Sequence, residues 1–142
     1  MSTIFADKFK NTSGGNPVQI NQLRGIDTAG SITVQGENTA TTNLQQGLCK
    51  MWVNWNMSGT AGVYDSFNFS SLQDNGTGNA TLNINNDMAN NDYTIVYASN
   101  NFHIIGNNSN KGTGSCQVTI HDAGNAGVDA SQQDGQICGD LA

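Results

Sequence analysis

The side chains best suited to chemistry are His103 and His121, the cysteines Cys49, Cys116 and Cys138, and eleven acidic residues among which Glu37 is the single glutamate. Neither histidine stands in an HxH or HExxH spacing, so neither offers the paired imidazoles of a zinc site; a histidine on a strand face is the expectation. Three cysteines are an odd set with no CxxC pair, which argues against zinc ligation and against a dense disulfide framework. A Cys116–Cys138 bridge stays open, with buried free thiols as the commoner outcome. Asp74-Asn75-Gly76 and Asn85-Asn86-Asp87 carry oxygen ligands, but neither fits the calcium loop D-x-[DN]-x-[DN]-G, and turn chemistry accounts for both. Glycoside hydrolysis needs two carboxylates fixed across one bond, a geometry not readable from aspartates scattered over turns. There is no G-x-S-x-G, no P-loop and no G-x-G-x-x-G at a strand–helix junction. A Cys–His nucleophile pair is left open by the residues, although a buried cysteine is far commoner. The expectation is a chain without catalytic residues, cofactor or metal.

Aromatic residues remain. Cys49 to Asn56 alternates, with Met51, Val53 and Trp55 on one strand face and Lys50, Trp52 and Asn54 on the other. Trp52 therefore sits among polar neighbours, where it faces a glycan, faces a partner subunit, or covers the second side of a sandwich; the last is the simplest reading.

The elements that must position these residues are strands. Charged residues make up 11% of the chain, against about 25% in ordinary globular proteins. Polarity is carried instead by Asn, Thr, Ser, Gln and Gly, which suits short strands and tight turns. At 142 residues the chain is long enough for one modest core. The formal charge of −6 and pI near 4.3 argue against nucleic acid, whose phosphates require clustered Lys and Arg. Residues 1–50 hold four basic against three acidic residues, whereas residues 51–142 hold Lys111 alone against eight aspartates. No apolar run follows Met1 or approaches the length of a membrane span, so neither a classical secretion signal nor a membrane is expected.

Residues 1–46 have few large apolar side chains and cannot build a core. They read as an extended N-terminal arm with short strands at 3–10 and 31–35, lying along this body, a neighbouring subunit or another protein. Its anchors are Ile4, Phe5, Phe9, Val18, Ile20, Arg24, Ile32 and Val34. Residues 47–142 read as an antiparallel β-sandwich or small barrel of about six strands. After Cys49–Asn56, a strand over 63–70 has Val63, Asp65, Phe67 and Phe69 on one face, bent or ending at Asp65. Asp74 to Gly78 is the strongest hairpin signal, followed by a strand with Leu82 and Ile84 inward. Residues 92–99 read as a central strand buried on both sides, with Tyr93, Ile95 and Tyr97 opposite Val96. Residues 102–105 form a short strand, 107–115 a long Asn/Gly/Ser loop, and 116–121 the last clear strand. The tail from Asp122 carries few aliphatic anchors.

From Leu48 to Val96 the chain resembles a module recurrent in structural genes of tailed phages, often labelled tail-fibre-like, of the form KAWVNFNGTGT…DSFNVSS…DNGTG. The matching residues are Lys50, Trp52, Val53, Asn54, Gly59-Thr60, Asp65-Ser66-Phe67-Asn68, Ser70-Ser71, Asp74-Asn75-Gly76-Thr77-Gly78, Met88-Ala89 and Asp92-Tyr93. Trp55 departs from the usual Phe. The resemblance implies a virion structural protein, located on the virion surface after assembly in the host cytoplasm. A tail fibre or receptor-binding adhesin calls for an attachment region, a shaft and a tip, and shaft repeats are missing. A capsid decoration (cement) protein needs a compact β-domain and an arm laid across the major capsid protein or other virion proteins, commonly as a homotrimer. The arm and acidic body match that second layout better, with the arm residues named above as the partner-binding set.

Overall fold

The computed structural model describes residues 32–35, 39–100 and 103–142. Two four-stranded antiparallel sheets pack face to face, as the alternating patterns require. One is built from β3 (Cys49–Asn56), β4 (Gly62–Phe67), β7 (Thr94–Ser99) and β10 (Gln133–Cys138), in the order β4-β3-β10-β7. The other combines β5 (Phe69–Asp74), β6 (Asn79–Ile84), β8 (His103–Lys111) and β9 (Ser115–His121), in the order β5-β6-β9-β8. Before the sandwich stand a small hairpin, β1 (Thr33–Gln35) with β2 (Thr41–Asn43), and the single-turn helix α1 (Leu44–Gly47). Asn43 caps α1: its side chain accepts the Gln46 N–H at 3.1 Å, satisfying a donor the turn leaves free.

The core lies between the sheets. Met51, Val53, Trp55 and Ile137 face Ala80, Leu82, Ile84, Cys116, Val118 and Ile120, with Met57, Met88, Tyr93 and Ala130 filling the ends. Each large apolar side chain removed from water there contributes about 1.5–3 kcal/mol. Trp55 meets Tyr97 edge-to-face at 6.5 Å between ring centroids, an arrangement aromatic quadrupoles favour.

Four elements differ from the sequence reading. The strand expected over 63–70 is two strands in different sheets, broken at Asn68, whose φ of 52° is left-handed. The Asn68 side chain makes the corner hold. Its amide donates to Lys50 O at 2.9 Å and lies 3.2 Å from Asn86 O, while its oxygen accepts the Asn86 N–H at 2.8 Å. Asparagine suits this position because it tolerates left-handed backbone and satisfies local polar groups.

Residues 92–99 were expected at the centre of a sheet, but β7 is an edge strand with Val96 exposed. Apolar residues on both faces read alike whether the outer face is covered or open. The loop expected over 107–115 is mostly strand: β8 runs to Lys111, followed by a short turn to Ser115. Asn is depleted in strands, and residues 107–110 fall in a register shift bracketed by two pairs with β9, Gly106 with Val118 and Lys111 with Cys116, which keep the segment along the sheet. The largest difference is β10. Gln-Asp-Gly-Gln-Ile-Cys carries one aliphatic residue, yet it is the central strand between β3 and β7. Gly135 explains the weak signal, because the Trp55 and Tyr97 rings stand where its side chain would be; an added Cβ would lie 3.1 Å from Tyr97 and 3.3 Å from Trp55.

Candidate functional site: an outward aromatic row on one sheet

Several of the groups first considered for chemistry serve the fold, while Glu37 lies outside the described residues. Asp74 Oδ1 accepts the Gly76 N–H, Asp129 Oδ1 the Gly78 N–H, and Asp122 Oδ1 the N–H groups of Gly124 and Ala126, each at 2.8–2.9 Å. These carboxylates hold turns, the role Asx chemistry predicts. Among the described residues no group of three or more His, Cys, Asp or Glu is placed to hold a metal ion. His121 Nδ1 lies 2.8 Å from Asn125 Oδ1 beside a turn.

Cys116 is fully buried and takes a hydrogen bond from the Tyr97 hydroxyl at 3.5 Å. Burial pushes its thiol pKa up, outweighing the Tyr97 hydrogen bond and the Lys111 charge, so it is a poor nucleophile at neutral pH. Burial, with Cys116 nearby, likewise pushes the phenols of Tyr93 and Tyr97 far up. The sign for stability follows. Unfolded, these groups lose protons near their ordinary values of 9.0 and 10.0; folded, they are held neutral. Stability is therefore fully present below about pH 9 and is lost as pH climbs towards the raised folded values. Thermal melts from pH 7 to 11 should show Tm level up to about pH 9 and falling steeply above it; a flat profile to pH 11 would contradict the burial argument.

The exposed surface is more informative. Of the seven large apolar side chains exposed among the described residues, five lie on the β4-β3-β10-β7 sheet: Trp52, Val63, Tyr64, Phe67 and Val96. Register aligns three of them. Trp52 on β3 stands opposite Phe67 on β4 and Gln136 on β10, and Gln136 stands opposite Val96 on β7. The row Phe67–Trp52–Gln136–Val96 thus crosses all four strands on the outward face, about 14 Å from end to end at the usual strand spacing. Trp52 is 38% exposed, Phe67 54% and Val96 57%.

A second row runs parallel: Asp65, Asn54, Asp134 and Ala98. Asn54 Nδ2 donates to Asp134 Oδ1 and lies 3.2 Å from Gln133 O, which fixes the amide and carboxylate in place. Between the rows a shallow groove of about 250 Å³ is lined by Val53, Val96, Tyr97, Ala98, Asp134, Gly135 and Gln136. Gly135, Val53 and Tyr97 direct their side chains to the core or have none, so their backbone forms the floor. The arrangement offers flat apolar surface flanked by fixed acceptors and amide donors, without a cation. Such a surface suits an uncharged or basic partner and disfavours an anionic one.

The outer face of the other sheet contrasts with it. Asn83 donates to Ser71 Oγ at 3.0 Å, Asn75 to Thr81 Oγ1 at 2.8 Å, and Gln117 to Asn79 Oδ1 at 2.7 Å. These amides and hydroxyls are bonded to one another.

Trp52 points outward as its alternation predicts and is partly exposed, with no further sheet packed over it among the described residues. Lys50, expected beside it, is buried instead. A bulge in the β3–β10 register at this point turns Lys50 inward, where its ammonium donates to Gln45 O. Phe67 and Asp65 were expected to share a face with the inward-pointing Phe69, but the corner at Asn68 separates them and both are exposed. Asp134 and Gln136 were missed with β10; the Asp-Gly-Gln-Ile alternation is their only signal. Of the arm residues, Ile4, Phe5, Phe9, Val18, Ile20 and Arg24 lie outside the described residues. Ile32 is half-buried, its carbonyl accepting the Leu44 N–H at 2.9 Å, and Val34 is exposed on β1 opposite Thr42.

Compared with protein-family models, curated proteins and solved structures, the chain has no match. Among the described residues no helix is long and apolar enough to cross a membrane.

Proposed function

We propose that this chain is a bacteriophage virion structural protein without catalytic activity, a capsid decoration (cement) protein that clamps major capsid subunits at the virion surface. The N-terminal arm and the outward aromatic row would make the contacts, commonly as a homotrimer. The observation that carries the reading is the tail-fibre-like module. Its matching residues run through β3, β4, the Asn68 corner, β5 and the Asp74–Gly78 hairpin, the segment linking the two sheets, and they include both ring-bearing members of the exposed row, Trp52 and Phe67. A domain with one aromatic and one hydrogen-bonded amide face has a natural direction in which to dock.

A second reading, a tail-fibre component or adhesin, is favoured by the groove beside Gln136. Its volume suits a single sugar ring, and Trp52 stands one strand away as a stacking platform.

Electron microscopy of native particles separates the two: density on head facets supports decoration, and density at the tail supports the adhesin. For either placement, replacing both Trp52 and Phe67 by Ala should weaken binding of the purified protein to particles lacking it at least tenfold, since exposed aromatic anchors dominate such contacts. Folding should be unchanged by circular dichroism. Undiminished binding by that variant would remove the aromatic row from the contact.

A further inference from the structure

The β3–β10 register brings two cysteines together that the sequence keeps 89 positions apart: Cys138 is the direct antiparallel partner of Cys49. Directly opposite residues have Cα atoms about 4.5–5.5 Å apart, inside the range of about 4.4–6.8 Å that a disulfide spans. Both residues are partly exposed, and both are free thiols in this structure. Along β10 the residues 133, 135 and 137 are buried, so Cys138 follows Asp134 and Gln136 onto the outward face. The bulge opposite Ile137 and Cys138 absorbs Lys50 and returns Cys49 to the register position facing Cys138. Cys49 donates its S–H to Met51 O at 3.0 Å, a weak bond that a side-chain rotation releases. Cys116 cannot compete: it lies on β9 of the opposite sheet, fully buried against Tyr97.

We propose that Cys49 and Cys138 are a redox site that closes to an intramolecular cross-strand disulfide in an oxidising glutathione environment. One thiolate attacks oxidised glutathione, giving a protein–glutathione mixed disulfide and releasing one glutathione thiolate. The second cysteine attacks the protein sulfur of that mixed disulfide and displaces the other glutathione. Two protein thiols are oxidised, one glutathione disulfide is reduced to two thiols, and the two protons pass to the departing thiolates. The bond staples the end of β10 to the start of β3. That end leads into Leu141, which bridges to Met88, and Ala142, whose N–H donates to Asp87 O, so the staple secures the C-terminal lap of the sandwich. The chemistry stands whichever particle, head or tail, the protein occupies.

The full purified chain is incubated with oxidised glutathione, and free thiols are counted under denaturing conditions. Cleavage at aspartates, which separates Cys116 from Cys138, is followed by mass spectrometry without reductant. Free thiols should fall from three to one, a Cys49–Cys138 linked peptide should appear, and Tm should rise by roughly 10 °C and return on adding dithiothreitol. Cys49→Ser and Cys138→Ser should each abolish the linked peptide and the rise. Three free thiols after treatment, stable glutathione adducts in place of the cross-link, a linkage through Cys116, or a covalent dimer would each overturn the proposal.

Discussion

Gly78→Ala is expected to be the most damaging single methyl that can be added to a turn of this protein. Gly78 closes the β5–β6 hairpin with φ of 70°, where an L side chain is strained by about 1–2 kcal/mol. The larger part of the cost is steric. An added Cβ would lie 2.5 Å from Ile120 O, 2.6 Å from Val128 N and 2.8 Å from Gly127 Cα. All three are backbone atoms, so no rotamer change relieves them. Two of them, Ile120 O and Val128 N, are hydrogen-bonded to each other at 3.0 Å, and Gly78 O accepts the Ile120 N–H at 2.8 Å. Overpacking adds about 1–3 kcal/mol or more. The sum, about 2–5 kcal/mol, is a large share of the 5–15 kcal/mol that typical domains possess. Thermal melts should show a fall in Tm of roughly 10–20 °C or failure to fold. Gly76 is the internal control. It too has positive φ, at 108°, but nothing lies within 4 Å of its Cβ position, so Gly76→Ala should cost only the backbone strain. Equal losses at the two positions would show that crowding is not the cause at Gly78.

Trp55→Ala should have an effect of similar size for a different reason. Trp55 is fully buried, packs edge-on against Tyr97 and stands over Gly135. Truncation leaves a cavity bounded by two sheets whose strands cannot close inward, and a loss of about 3–5 kcal/mol is expected. Its neighbour by parity supplies the contrast. Trp52, three residues earlier in chain order and on the opposite strand face, is partly exposed, and Trp52→Ala should cost clearly less, about 1–2 kcal/mol. Denaturant melts of the two variants decide the matter. Comparable destabilisation would mean that Trp52 is part of the packed core and not an available contact surface. The pair of measurements thus tests whether the two tryptophans divide between core packing and an available surface.

Alternation carried most of the sandwich. Met51, Val53 and Trp55, then Leu82 and Ile84, then Val118 and Ile120, are inward in the structure as their period of two demands, because a strand has no other way to bury one face. The Asp-Asn-Gly-Thr-Gly turn was legible because Asp74 and the two glycines carry a local chemistry that needs no distant partner. The outward position of Trp52 was legible for the same reason as the core.

Other features depend on partners far away in sequence. Phe67 does not share a face with Phe69 as expected, because one residue, Asn68, takes a left-handed conformation stabilised by Lys50 and Asn86, both 18 positions away. Asn68 is consistent with an uninterrupted polar position in a strand until those contacts are known. The central strand β10 is the strongest case. Its apolar content is too low to announce a buried strand, and it is buried because Trp55 and Tyr97 supply, over Gly135, the apolar bulk that β10 lacks. The exposed row follows from that placement. Trp52, Gln136 and Val96 belong to strands that become neighbours only when β10 inserts between β3 and β7, and the same insertion sets Cys138 opposite Cys49.

Local pattern was thus enough to establish an antiparallel β-protein, its main inward faces and its best turn, since each depends on residues within a few positions of one another. Strand order, the aromatic row and the cysteine pair came from long-range register, which no single stretch encodes because the packing of one strand supplies the burial of another.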